Sequence, residues 1–299
     1  MSATWKNKPM SAETYHRAEA LGLNIPPLLV AAERVASTVS QGVHGRRRVG
    51  QGETFWQFRR YGTGDTIQCI DWRRSAREGP LYVRDKEWEA AQSIWLWRDG
   101  SPSMDFCTES GGETKYKRAE LLLLALASLL VRGGERVALL ETEMLPASDR
   151  TVMHQLWTMM QNATLASEGL PRVELLPRYA RLVIIGDFFS PLEEIKAVVD
   201  AYAAQGVRGH IIQVLDPAEE TLPYEGRVVF EDPESKAGLL VSQVSSLRSD
   251  YQREMTRHCE SLEILAARVG WTFSVHNTNR SPVVPLMALY LQLSKYFVE

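Results

Sequence analysis

The sequence is poor in cysteine. Cys69, Cys107 and Cys259 lie far apart, no CxxC pair occurs, and the odd count argues against a disulfide framework. No excess of one charge is present either. Lys+Arg 34 against Asp+Glu 37 gives a net charge of −3, a balance with no general attraction to nucleic acid or anionic lipid. The longest apolar run, Leu121 to Val131, covers 11 residues, whereas a bilayer-spanning helix needs roughly 20. No direct membrane anchor is expected. Familiar catalytic signatures are missing as well: none of the 6 histidines falls in HExxH, no serine sits in GxSxG, and no Walker loop GxxxxGK appears. With no secretory stretch at residues 1–10, a reducing cytoplasm is the expected compartment.

What the chain does have is ordinary globular material, 44% hydrophobic and 24% charged over 299 residues, enough to bury a large core. Two regions differ in character, and a boundary is expected near residue 90. Region 1–90 combines helical spacing at Thr14–Leu23 and Pro27–Ser40 with short strands and turns between Gly45 and Asp85. Region 91–299 alternates short apolar strands with longer helices. Strands are predicted over Ile94–Trp97, Arg136–Leu140, Leu182–Ile185, His210–Leu215 and Trp271–Val275. Helices are predicted over Tyr116–Val131, Val152–Met160, Leu192–Ala203, Val244–Val269 and Pro285–Phe297. This alternation predicts an α/β fold with a doubly wound, mainly parallel sheet and an N-terminal helical and short-strand extension.

In such a sheet, ligands gather beyond the carboxyl ends of the strands. Asp99-Gly100-Ser101-Pro102-Ser103-Met104 follows the first strand, and Gly186-Asp187 follows the third. The spacing Asp99-x-Ser101-x-Ser103 can turn three oxygen-bearing side chains toward one point, and Asp187 adds a second carboxylate from another strand end. Hard divalent cations favour such oxygen donors and keep waters in the remaining positions. Taken alone, the pentapeptide is also a plain Gly/Pro turn. The strand before it, the helix after it and Asp187 tilt the balance to Mg²⁺, with Mn²⁺ or Ca²⁺ as alternatives.

The loop Asp99–Met104 resembles the metal-ion-dependent adhesion site of von Willebrand factor A domains. There, an Asp and two Ser act with a Thr from a second loop and an Asp from a third. Asp187 matches the third-loop Asp. Thr151 is the best-placed match to the Thr, with Ser148 and Thr142 as alternatives, and Ser148 or Asp149 reads equally well as a helix cap. Upstream, Arg60-Tyr61-Gly62-Thr63-Gly64-Asp65 and Ile70-Asp71-Trp72-Arg73-Arg74-Ser75-Ala76-Arg77, followed by Leu81–Arg84, resemble the bacterial family named domain of unknown function 58. Leu215–Glu219 and Leu222–Gly226 extend that resemblance, which covers roughly residues 40–299. Gln68 stands where the family often has Arg.

The resemblance implies a von Willebrand factor A-like, Rossmann-type domain. It also implies an adaptor working with MoxR-type AAA+ ATPases and other A-type-domain proteins on a client complex. The leading expectation is a non-catalytic, metal-dependent protein-interaction module. In it, a cation on Asp99, Ser101, Ser103, Asp187 and Thr151 takes an acidic residue from a protein partner. The alternative is a Mg²⁺-dependent hydrolase or phosphotransferase on the same edge, with Arg98 as the one obvious phosphate-binding group. Arg60, Asp65, Asp71, Trp72, Arg73 and Arg77 are expected to lock the glycine-rich segment through Arg–Asp pairs, or else to form a docking face. The basic run Arg46–Arg48 is expected to pair internally rather than bind nucleic acid.

Overall fold

The computed structural model describes residues 27–44, 55–60, 72–78, 80–86, 93–108, 112–149, 151–161, 169–233 and 237–295. The helix expected at Thr14–Leu23, the Arg46–Arg48 cluster, Asp65 and Asp71 lie outside them.

Five parallel strands form the centre: β3 (Ser93–Arg98), β4 (Arg136–Leu139), β5 (Arg181–Gly186), β6 (Arg208–Leu215) and β9 (Thr272–Asn277). Their order is β4-β3-β5-β6-β9, and each neighbouring pair runs parallel. Strand residues alternate between two buried faces. Ile94, Leu96, Val137, Leu139, Val183, Ile185, Ile212 and Val214 enter one apolar cluster. Trp95, Trp97, Ala138, Leu140, Leu182, Ile184 and Ile211 enter the other. Both faces of the central strands are therefore dry, and this explains why β3, β4 and β5 read as mostly apolar runs.

The first face is covered by α1 (Pro27–His44), α3 (Lys115–Arg132), α4 (Val152–Gln161) and α8 (Val283–Lys295). Leu121 to Leu130 of α3 are all buried. The apolar run is thus a core helix, and no helix among the described residues is long and apolar enough to cross a membrane. Helix α1 shares this layer. Ala32, Ala36 and Val39, at helical spacing, are fully buried against it, and Glu33 bonds Ser128 at 2.7 Å and pairs with Arg132.

The second face is covered by α5 (Leu192–Ala204) and α7 (Arg248–Arg268), through Ile195, Val199, Tyr202, Leu262, Leu265 and Ala266. Trp271 closes it. Its ring lies against Gly209, where a Cβ would come within 2.1 Å of the ring, and its Nε1 donates to the Val207 carbonyl at 3.0 Å. Only glycine leaves that space.

A helix in the N-terminal segment, a hairpin late in the chain and a single-turn helix before it were not anticipated. Trp72–Glu78 is a short helix, α2, within a segment expected to be strands and turns, and β1 (Phe55–Arg60) pairs antiparallel with β2 (Tyr82–Lys86). An antiparallel hairpin joins β7 (Val228–Glu231) to β8 (Gly238–Val241). Between β6 and that hairpin, Pro217–Thr221 forms a single-turn helix, α6, closed by a capping box of Asp216 and Glu219.

Candidate metal centre

The order β4-β3-β5 means that the chain leaves β3 toward one side of the sheet and returns at β5 on the other. The loops after β3 and β5 therefore diverge and open a crevice at their carboxyl ends, the switch point where doubly wound sheets bind ligands. Asp99 and Asp187 flank that crevice.

Local geometry then brings the side chains together. The Asp99 N–H donates to the Ile185 carbonyl at 2.8 Å, which carries the β3–β5 pairing one residue past the strand. Gly186 permits the approach, because a Cβ there would meet the Asp99 Cβ at 2.9 Å. The Asp99 Oδ1 accepts from the Ser101 N–H at 2.8 Å, closing the tight turn that Gly100 and Pro102 favour. Pro102–Asp105 winds one 3-10 turn and directs Ser103 inward. The Ser101 and Ser103 hydroxyls lie 2.9 Å apart, and Ser103 Oγ donates to Asp187 Oδ2 at 2.7 Å. Four residues expected to converge form one network.

Asp187 is held by its surroundings. Gln213 Nε2 donates to its carbonyl at 2.8 Å, and the next residue, Phe188, is buried with a left-handed φ of 55°. His258 of α7 contacts the Phe188 carbonyl at 2.7 Å. A non-glycine residue in that conformation costs energy and persists because the packing around it demands it.

Asp99 is fully buried, and its Oδ2 has no hydrogen-bond partner. Burial, and secondarily the neighbouring Asp187 carboxylate, push its carboxyl from 3.8 up to about 6. A buried carboxylate oxygen left without a donor is a position that a cation would complete.

The sequence reading missed Lys115. Its ammonium is fully buried and donates to Asp187 Oδ2 at 2.9 Å and to Glu219 Oε1 at 2.6 Å, with the Phe189 ring 5.1 Å away. Glu219 is a further carboxylate at this edge, raised above its ordinary value by burial. Two signals for this pair were available. A lysine in the first turn of a long helix opposes the helix dipole and needs an anionic partner. The rule that picked Asp99 and Asp187 also picks Asp216-Pro217-Ala218-Glu219 after β6.

Thr151 does not join the cluster. It is exposed at the start of α4, and its hydroxyl and N–H both donate to Asp149 Oδ1, at 2.6 and 2.8 Å, so Asp149 is the cap. Thr142 is likewise occupied, donating to the Leu139 carbonyl at 2.7 Å. Trp72, Arg73 and Arg77 are exposed on α2, with Trp72 at 60%. Arg60 lies on β1. Arg98 is buried, its guanidinium 4.0 Å from the Tyr116 ring and 3.6 Å from Glu120, with Nη1 donating to the Asp99 carbonyl at 3.2 Å.

The donor set of two carboxylates and two hydroxyls, with one unpartnered buried oxygen, fits a hard divalent cation completed by water. Among the described residues, no group of three or more His, Cys, Asp or Glu is arranged to hold a metal. The hydroxyls would therefore carry part of any coordination here.

Comparison with known proteins agrees with the family resemblance. The family model described as "Protein of unknown function DUF58" matches residues 57–261. An uncharacterised protein of Mycobacterium bovis is 28% identical over 260 residues, covering 78% of this chain and 79% of that protein. Uncharacterised proteins from two Mycobacterium tuberculosis strains match to the same extent. Among solved structures, the conserved hypothetical protein BatB of Bacteroides thetaiotaomicron overlaps 69% of this chain and 100% of its own, at 11% identity and a TM-score of 0.41. An aerotolerance-related membrane protein of Bacteroides fragilis gives 15% identity and a TM-score of 0.39 over the same shares. Both overlaps are loose, and what those proteins are called applies to them alone.

Proposed function

Since this chain belongs to the DUF58 family, whose description assigns no activity, we propose from its own site that it is a non-catalytic, metal-dependent protein-interaction module of the von Willebrand factor A type. Asp99, Ser101, Ser103 and Asp187 would hold a divalent cation, Mg²⁺ first among the candidates. When bound, that ion supplies a positive, incompletely filled coordination shell that an Asp or Glu of a protein partner can complete. The partner class expected from the family resemblance is a MoxR-type AAA+ ATPase or another A-type-domain protein.

The observation that carries this reading is the Asp99 Oδ2 atom, buried without a partner beside a second carboxylate. Evicting water from a carboxylate oxygen and giving that atom no donor costs about 1–3 kcal/mol unless something positive is supplied. The chain's own residues prepare the place. Ser103 fixes Asp187, the Ser101 N–H fixes Asp99, and Gln213 and His258 fix the Asp187–Phe188 backbone. The hydrolase alternative gains no such support, because Arg98 is stacked on Tyr116 and paired with Glu120 rather than free to meet a phosphate.

The test is a thermal-shift titration with Mg²⁺ on the wild type and Asp99→Ala, together with capture of the partner ATPase with and without chelator. The expected result is a Mg²⁺-dependent rise in Tm and a chelator-sensitive association, both lost in Asp99→Ala. An identical Mg²⁺ shift in the variant would overturn the reading.

A further inference from the structure

We propose that Lys115 is the resident counter-ion of the Asp99–Asp187 crevice, sharing Asp187 with a divalent cation and so setting how tightly that cation is held. This deepens the metal-dependent reading above and rests on it.

Asp187 Oδ2 accepts from both the Ser103 hydroxyl, at 2.7 Å, and the Lys115 ammonium, at 2.9 Å. The Asp187 carboxylate is therefore already partly neutralised before any cation is bound. The ammonium has a second anchor 2.6 Å away in Glu219 Oε1, and Glu219 is itself fixed, since its Oε2 accepts from the Asp216 N–H at 2.8 Å. Asp99, Asp187 and Glu219 place three carboxyl groups around one ammonium, an acidic excess that a divalent ion would offset. Lysine is a compact point charge on a flexible stem, so it can lean on Glu219 and release Asp187 without leaving the pocket. Like charges this close repel strongly where water is excluded. The ammonium thus weakens cation binding, and Glu219 moderates that weakening by drawing it away.

Two substitutions should then act in opposite directions. Lys115→Met leaves three carboxylates with no internal cation, whereas Glu219→Gln leaves Lys115 on Asp187 alone. Mg²⁺ affinity is measured by calorimetric titration of the full chain at one pH and ionic strength. The expected result is about tenfold tighter binding in Lys115→Met, about 1.4 kcal/mol, and at least about threefold weaker binding in Glu219→Gln. Metal-free Lys115→Met should also melt below the wild type and recover when Mg²⁺ is added. A purely architectural role for the pair would weaken binding in both variants, and that result overturns the proposal. If Lys115→Met does not fold, unchanged or tighter binding in Glu219→Gln is sufficient to refute it. Mg²⁺ binding to the wild type with the wrong signs in the variants defeats the counter-ion role alone. No Mg²⁺ binding to the wild type defeats the metal reading and the counter-ion role together.

Discussion

Substituting Asp99 with Asn keeps the shape of the side chain and removes its charge. The Asn Oδ1 still accepts from the Ser101 N–H, while the Asp187 carboxylate no longer meets a like charge. Burial lifts the Asp99 carboxyl from 3.8 to about 6, so the folded chain holds this proton more tightly than the unfolded chain. The contribution to stability is therefore fully present below about pH 4 and is lost as pH rises through about 6. At about 1.4 kcal/mol per tenfold difference in proton affinity, the loss amounts to about 3 kcal/mol at pH 8. Without metal, Asp99→Asn should be more stable than the wild type by up to that amount at about pH 8, a gain on the order of 5 °C in Tm. The gap should narrow below about pH 6 and nearly close by about pH 4, as read by urea unfolding across pH with chelator present. With Mg²⁺ the order reverses, because only the wild type is stabilised by binding. A less stable Asp99→Asn at about pH 8, or a gap that ignores pH, would refute the claim that this carboxylate is uncompensated.

Other changes test neighbouring parts of the argument. Gly186→Ala pushes a methyl against Asp99 Cβ at 2.9 Å and should cost about 1–3 kcal/mol by urea unfolding while blunting the Mg²⁺ shift. Gly209→Ala meets the Trp271 ring at 2.1 Å and should cost more, with any soluble protein melting well below the wild type. Thr151→Ala should leave the Mg²⁺-induced Tm shift unchanged, since its hydroxyl bonds Asp149 at 2.6 Å; a lost shift would return Thr151 to the site. Burial, with Arg118 beside it, lowers His276 to about 4, so its contribution is present above about pH 6.5 and lost as pH falls toward 4. That trend opposes the Asp99 one, and His276→Gln should flatten the acid limb of the wild-type Tm profile; an unchanged limb would reject it.

Much of the architecture was legible because burial on both faces makes the strands mostly apolar, uninterrupted in Leu182–Ile185 and broken only by Gln213 in Ile211–Leu215. The pairing of Asp99 with Asp187 was legible for a topological reason: both follow parallel strands at the same sheet edge. Lys115 and Glu219 were not seen, because each looks solvated in its own segment. The contact between them spans 104 residues, and only the sheet's winding buries it. The β7–β8 hairpin was hidden differently. Its apolar runs, Val228–Phe230 and Leu239–Val241, are only three residues long and stay largely exposed, Val229 at 56% and Leu239 at 66%. The Thr151 hydroxyl, beside a helix start, has a nearer use in donating to the aspartate that caps it.

The buried, left-handed Phe188 has a consequence for anyone wishing to move this site to another scaffold. Its backbone is set by groups on β6 and α7, Gln213 gripping the residue before it and His258 gripping its own carbonyl, rather than by the amino acids of the loop. The Asp99–Met104 segment is portable in principle, since its own turn shapes it. The Asp187 half has one weak bond of its own, the Phe189 N–H to Asp187 Oδ1 at 3.3 Å, and a graft lacking those two distant supports would deliver a carboxylate pointing somewhere else.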